Sequence, residues 1–274
     1  MLGADGQADR NPAGEADGVR LALILVMIAT VAVAGLRPQY RQFGSALPGY
    51  QVGNAISLDG ATKYFTYQNQ VCSGTNFTVS AWVYIAQPMS NNIVLAERYS
   101  QNSTSIRAQL YTTGGKIAFI IRNDAGNASL STGTTTLSSN NWYHVAGVRN
   151  GVTNQVWLNG VKEFETNNAP GSITTDTYTI GNAGGSTTYW TPTYYAGRID
   201  EVAVWTRALS AVDISELYAT RKRAGNLVSG TNNLVARWSM DASSGTNAVD
   251  SIANNTAIGT GIVNSDWVPG RVYK

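Results

Sequence analysis

The chain has 274 residues, of which 13% are charged and 43% hydrophobic, with a formal net charge of +2, one cysteine and one histidine. A charge this small excludes a chain that binds nucleic acid by electrostatics, and the single cysteine excludes both an intramolecular disulfide framework and a cysteine-based zinc site. His144 alone cannot support multi-histidine metal chemistry, and the remaining wealth of Gly, Ser, Thr, Asn and aromatic residues favours strands joined by turns.

The first feature in the chain is residues 21–36, LALILVMIATVAVAGL, a long uncharged apolar run. It falls short of the roughly 20 residues a membrane-spanning helix prefers. Arg20 precedes it, and Arg37 and Arg41 follow. Ala32 and Ala34 supply the small-residue pattern of a secretory cut after Ala34. Asp5, Asp9, Glu15 and Asp17 in the leader, and Arg37 just behind the cut, fit an uncleaved anchor instead. Both readings put the rest of the chain outside the cytoplasm, secreted or held at the cell surface through 21–36. Residues 1–36 are therefore read as a leader, 37–49 as a linker and 50–274 as one globular domain.

From about Tyr50 the hydrophobic pattern has period two, the signature of half-buried strands. Val79, Ala81, Val83 and Ile85 share one strand face, with Ser80, Trp82 and Tyr84 on the other. Residues 116–121 form a short apolar run, and 142–148 alternate again, with His144 read as a structural residue whose hydrogen bonds are satisfied. Residues 155–158 lead into Asn159-Gly160 and then 161–165, a hairpin because both central positions of such a turn need positive φ. Residues 197–205 form a further strand. Ser210 and Asp213 then make a capping box, in which the serine oxygen accepts a backbone N–H and the acid reaches back. Ile214, Leu217 and Tyr218 follow at helical spacing. Asp213 and Glu216 lie early and Arg221, Lys222 and Arg223 late, as the helix dipole favours, before Gly225. Residues 234–240 form the last clear strand, with Leu234, Ala236, Trp238 and Met240 on one side. Many strands with one short helix predict an all-β two-sheet sandwich.

Four segments carry a resemblance. Residues 55–60 (AISLDG), 77–84 (FTVSAWVY), 142–160 (from WYHVA through VWLNG) and 197–210 (from GRIDEVAVW through RALS) stand in the order and spacing of the laminin-G-like, concanavalin A-like jelly-roll domains, which include pentraxins. Residues 234–270 resemble a segment that opens such domains elsewhere, and are read here as a closing strand supplied to the same sandwich from the C-terminal side.

The resemblance implies a lectin-like module that binds a glycan or a cell-surface protein, in adhesion or polymer capture, without catalysis. It also implies a structural calcium ion held by Asp59, the Gly60 carbonyl and Asp200, although calcium takes six to eight oxygens and two aspartates supply only part of that shell. The aromatic-rich stretch 188–195, flanked by the Gly-rich 181–185, offers Tyr189, Trp190, Tyr194 and Tyr195 as stacking platforms for sugar rings. Arg98, Tyr99, Arg122, Asn123 and Asp124 stand at strand ends and are expected to share that rim.

Two alternatives remain. One is a structural subunit of a surface filament, fibre or virion, with self-association through the sandwich. The other is a glycoside hydrolase, which needs two carboxylates about 5–5.5 Å apart, or farther for inversion. The hydrolase pattern E-x-D-x-x-E is absent, Glu163 and Glu165 read as a solvated edge, and Asp200 and Glu201 alternate to opposite faces.

Overall fold

A computed structural model describes residues 51–68, 71–87, 92–98, 106–123, 125–175, 177–183, 193–219, 227, 232–253 and 256–273. The apolar run 21–36, the basic cluster 221–223 and Gly225 lie outside them. In chain order the strands are β1 (Gln51–Asp59), β2 (Tyr64–Tyr67), β3 (Asn76–Ile85), β4 (Asn92–Arg98), β5 (Ile106–Thr113), β6 (Lys116–Arg122), β7 (Ala128–Thr132), β8 (Asn141–Asn150), β9 (Thr153–Leu158), β10 (Val161–Thr166), β11 (Thr177–Ile180) and β12 (Ala196–Trp205). Helix α1 (Ala211–Ala219) follows, and then β13 (Leu234–Trp238), β14 (Asn247–Val249), β15 (Thr256–Thr260) and β16 (Trp267–Tyr273).

The strands form two eight-stranded antiparallel sheets. The first runs β10-β9-β8-β3-β12-β1-β16, with β13 also paired to β12. The second runs β14-β15-β2-β11-β4-β5-β6-β7. Alternation decides which side chains fill the space between them. Val79, Ala81, Val83 and Ile85 of β3 all enter the common core, with Leu110 of β5 and Ile117, Phe119 and Ile121 of β6 from the facing sheet. Gly147 of β8 is a close-approach position, since a Cβ there would sit 2.4 Å from the ring of Phe119. The predicted turn forms as expected, with Asn159 and Gly160 at φ 50° and 82°.

Helix α1 starts where the capping box placed it. Asp213 N–H donates to Ser210 Oγ at 3.2 Å, and Ser210 N–H donates to Asp213 Oδ2 at 3.0 Å. Ile214 and Leu217 pack with Trp157 and Trp205 on the outer face of the first sheet.

The C-terminal segment supplies more than the single strand expected of it. β13 pairs with β12 and β16 with β1, while β14 and β15 extend the second sheet beside β2. The strand from Leu234 ends at Trp238. Ala236, Trp238 and Met240 face the main core, but Leu234 joins the cluster under α1, because the register shifts between Val204 and Trp205.

β12 changes partners midway. Its first half pairs with β1 and its second half with β13. At the junction a bulge lies between Asp200 and Ala203, with Glu201 at φ 46°. Ile199 and Val202 both face the core, so Asp200 and Glu201 occupy the gap between two inward residues and project to the same side. The expected alternation to opposite faces fails for this reason. Glu201 is bound by Arg237 at 2.6 and 2.8 Å, and Asp200 Oδ2 accepts Arg271 N–H at 3.3 Å.

Candidate functional site

Four of the sequence candidates, Arg98, Arg122, Asn123 and Tyr194, are carried by the strands and turns of the second sheet. Residues 181–183 and 193–195 form the base of a hairpin: Tyr195 N–H donates to Gly181 O at 2.8 Å, Ala183 N–H donates to Thr193 O at 3.3 Å, and Asn182 bridges Tyr194. Tyr189 and Trp190 fall in the connection of this hairpin and lie outside the described residues, as do Tyr99 and Asp124.

The two tyrosines at the hairpin base part company. Tyr194 is half-buried, its ring 6.0 Å from that of Tyr64 on β2. Tyr195 is fully buried in the main core, and its hydroxyl donates to Tyr84 O at 3.0 Å. It offers no free ring face and cannot act as a stacking platform. Burial raises its phenol above the ordinary range.

Arg98 ends β4, opposite Thr177 and Ile106, and Arg122 ends β6, opposite Ala128. Their backbones flank the start of β5, where Arg107 is buried and donates from Nη1 to Asn123 O at 3.1 Å. Asn123 also caps its own turn, its Oδ1 accepting Asn127 N–H at 3.0 Å. Arg98, Arg122 and Asn123 thus share one end of the sheet, while Tyr194 belongs to the other, where Gly181 N–H meets Val94 O. The four positions from Val94 to Arg98 span roughly 13 Å of strand. The single rim expected from the sequence is therefore two ends of one face.

Between those ends runs a row that the sequence candidates did not include. Thr66, Thr179, Ala96, Gln109 and Ile120 are successive cross-strand partners on β2, β11, β4, β5 and β6. Ala96 and Ile120 form a separate outer cluster with Tyr111, Ala118 and Ala183 of the hairpin base. Burial raises the Tyr111 phenol pKa, opposed by the charge of Arg122, and burial lowers the Arg122 guanidinium. Gln109 is 1% exposed, and neither its Nε2 nor its Oε1 has a hydrogen-bond partner among the described residues. Leaving such a group unpaired costs about 1–3 kcal/mol. The only sequence signal for it was a polar residue between Ala108 and Leu110 in a strand with strongly apolar neighbours.

The structure does not bring together the residues expected to hold calcium. Asp59 pairs with Ala196, four strand positions from Asp200 and so roughly 13 Å away. Asp59 is instead the hub of a turn. Its Oδ1 accepts N–H groups from Ala61, Thr62 and Lys63, and its Oδ2 accepts the Thr62 hydroxyl at 2.6 Å. Burial would raise its carboxyl pKa, but these hydrogen bonds outweigh it and hold the group well below the usual carboxylate range. Gly60, at φ 76°, serves the same turn, and its N–H donates to Tyr195 O at 3.0 Å. Asp59, Gly60 and Asp200 cannot hold one ion, and among the described residues no group of three or more His, Cys, Asp or Glu side chains is placed to bind a metal.

Glu163 and Glu165 are held by structural contacts. Glu163 is no free edge residue: its carboxylate accepts N–H and hydroxyl donors from Thr134 and Thr135 at 2.7–2.8 Å, tying that loop to β10. Burial raises its pKa, and these bonds more than compensate and lower it. Glu165 accepts from Gln155 and Lys162.

His144 is buried beside Trp82, ring centroids 5.2 Å apart, and its Nδ1 has no partner among the described residues, so it is structural but not satisfied. Burial, with the nearby Arg271 charge, pushes it down to about 3. The unfolded chain takes up that proton near 6.5, so this contribution to stability is complete above about pH 6.5 and declines as pH falls toward 3. We expect stability measured by urea melts to fall by up to about 1.4 kcal/mol per pH unit between pH 6 and 4 from this group. A His144→Phe variant should show a flatter profile over that interval, and parallel profiles would remove His144 as the cause.

Two antiparallel sheets packed face to face, one capping helix and a loop-bearing outer face define a jelly-roll sandwich of the lectin type. The chain belongs to the Laminin_G_3 family of the concanavalin A-like lectin/glucanases superfamily, whose family model matches residues 59–215, more than half of its length. Among curated protein sequences, none matches it. A Bacteroides ovatus protein assigned to carbohydrate binding is similar in structure, with a TM-score of 0.60 and 18% identity over 78% of this chain and 59% of that one. This chain thus spans little more than half of that relative. The native heptameric SAP-like pentraxin of Limulus polyphemus is similar with a TM-score of 0.54 and 17% identity, over 75% of this chain and 95% of its own. At these identities the likeness is one of fold.

Proposed function

We propose that this protein is a non-catalytic, lectin-like recognition module acting outside the cytoplasm, and that it engages glycan on the outer face of the second sheet. The observation that supports this most is the composition of that face. The Tyr64–Tyr194 ring pair stands at one end and the Arg122–Asn123 turn at the other. Aromatic faces stack on sugar C–H surfaces, and planar polar groups read hydroxyls, so this mixture suits a saccharide better than a peptide or lipid. Tyr189 and Trp190, between Ala183 and Thr193 in the sequence, are further stacking candidates by that position. The non-catalytic reading draws on the commitment of Glu163, Glu165 and Glu201 to structural partners. Secretion or surface tethering is drawn from the apolar run 21–36.

The test is binding of the full chain to a broad glycan array, in calcium and in chelator. We expect saturable binding that chelation leaves unchanged and that Tyr64→Ala and Tyr194→Ala each weaken about tenfold or more. Absence of binding across the array would end the glycan reading, and release of shortened saccharides would replace it with a hydrolase.

A further inference from the structure

Helix α1 covers only part of the outer face of the first sheet. Ala146, Val148, Trp157 and Trp205 pack beneath it, and the Tyr218 ring reaches Trp82 at 5.9 Å. Two residues along β3 from Trp82, a row of four side chains crosses the sheet: Trp142 of β8, Tyr84 of β3, Arg198 of β12 and Ser57 of β1 are successive cross-strand partners. All four are half-buried. The Tyr84 and Trp142 rings lie 5.6 Å apart, and the Arg198 guanidinium carbon sits 5.1 Å over the Tyr84 ring. The Tyr84 hydroxyl donates to Asn140 Oδ1 at 3.1 Å and Arg198 Nη1 donates to Pro269 O at 3.3 Å, which fixes both side chains. Lys63, Lys162, Arg207 and Arg237 each bind a carboxylate, whereas Arg198 pairs with no acid among the described residues. The acids of the same face are already engaged, Asp59 by its own turn, Asp200 by Arg271 N–H and Glu201 by Arg237.

We propose that this row is a second binding site, separate from the face of Tyr64 and Tyr194, and that its ligand is a saccharide chain containing uronate residues. Trp142 is the stacking platform and Arg198 the carboxylate reader. An indole face packs against the C–H surface of a pyranose ring. The Arg198 contact to Pro269 uses one N–H of five, so the edge formed by Nε and Nη2 stays available for two parallel bonds to a carboxylate. Trp142 and Arg198 stand two strand spacings apart, roughly 10 Å, so one sugar stacks while the carboxylate of a residue farther along the chain meets the guanidinium. Ser57, beyond Arg198, offers a hydroxyl to the same chain. Strand-borne side chains with fixed rotamers lose little freedom on binding. A densely sulfated polymer is held by many cations at once, and a net charge of +2 with a single unpaired guanidinium in the row does not suit it.

The test uses the full chain on oligomers of galacturonate, glucuronate and mannuronate, their methyl esters, the neutral hexose counterparts and dextran sulfate. At least one uronate oligomer is expected to bind saturably, its methyl ester about tenfold or more weaker, and its monomer weaker still. Arg198→Gln should lose about tenfold or more, and Arg198→Lys, which keeps the charge without the fork, should lose part of the affinity. Trp142→Ala should lose roughly three- to tenfold, with Trp142→Phe between it and wild type. Lys162→Gln removes the same charge elsewhere on the sheet and should leave uronate binding unchanged. Thermal melts of each variant separate recognition from support of the fold, because the conservative variants Arg198→Lys and Trp142→Phe should weaken binding at an unchanged melting temperature. Equal affinity for uronate and ester, tighter binding of dextran sulfate, or an equal loss in Lys162→Gln and Arg198→Gln would each overturn the proposal. So would a chain that binds neutral sugars and no uronate, which would leave the glycan reading of the second sheet standing. Uronate binding lost in Arg198→Gln would support this site even if no sugar binds through Tyr64 and Tyr194.

Discussion

Replacing Trp238 with alanine is expected to destabilise the domain by about 3–5 kcal/mol. The indole is fully buried and touches the facing sheet twice, stacked on Tyr178 at 5.4 Å and edge-on to Tyr67 at 5.3 Å. Its own strand, β13, belongs to the first sheet, so the ring ties the C-terminal segment to both layers. A urea denaturation midpoint measured for wild type and variant checks this. A loss below about 1 kcal/mol would mean that the C-terminal strands are not part of the cooperative core. Trp238→Phe should cost less than Trp238→Ala, because it keeps a ring between the tyrosines and removes an indole N–H that has no partner among the described residues.

The second large effect is expected at the partner switch of β12. Glu201→Ala leaves the Arg237 guanidinium, whose side chain is only 13% exposed, without the carboxylate that now binds it through Nε and Nη2. Breaking one side of a buried ion pair costs about 3–5 kcal/mol, because the surviving charge stays desolvated. The double variant Glu201→Leu, Arg237→Met should regain most of that loss, since the pair repays little beyond its own desolvation. Equilibrium denaturation of the two single variants and the double variant forms the cycle. An additive double variant would show that the two groups act independently.

The layered fold was legible because alternation and turn chemistry are local. Val79 to Ile85 declare a half-buried strand, Asn159-Gly160 declares a hairpin, and Ser210 with Asp213 declares a helix start. Each rule needs only a few neighbours along the chain. The tail was read in part, because Trp238 and Met240 alternate clearly while β14 has only three residues to show a pattern. The bulge at Asp200 and Glu201 was not legible. It arises from β12 serving β1 and then β13, a fact of pairing that no local alternation contains.

The same limit governed the site. Tyr194 and Tyr195 were both read as platforms from their neighbourhood in sequence, yet strand alternation sends one to the outer face and the other into the core. Asp59 and Asp200 were joined by a resemblance, and the register of β1 against β12 keeps them apart. The burial of Gln109 was missed because a single polar residue in a strand looks like any outward-facing position. Its neighbours Ala96 and Ile120 lie 13 residues before it and 11 after it and meet it only across the sheet.

The antiparallel pairing of β1 with β16 sets Gln51 directly against Tyr273, so the two ends of the sandwich leave from one point. Tension applied between those ends would open the β1–β16 ladder one rung at a time, as a zipper parts, instead of shearing all its hydrogen bonds together.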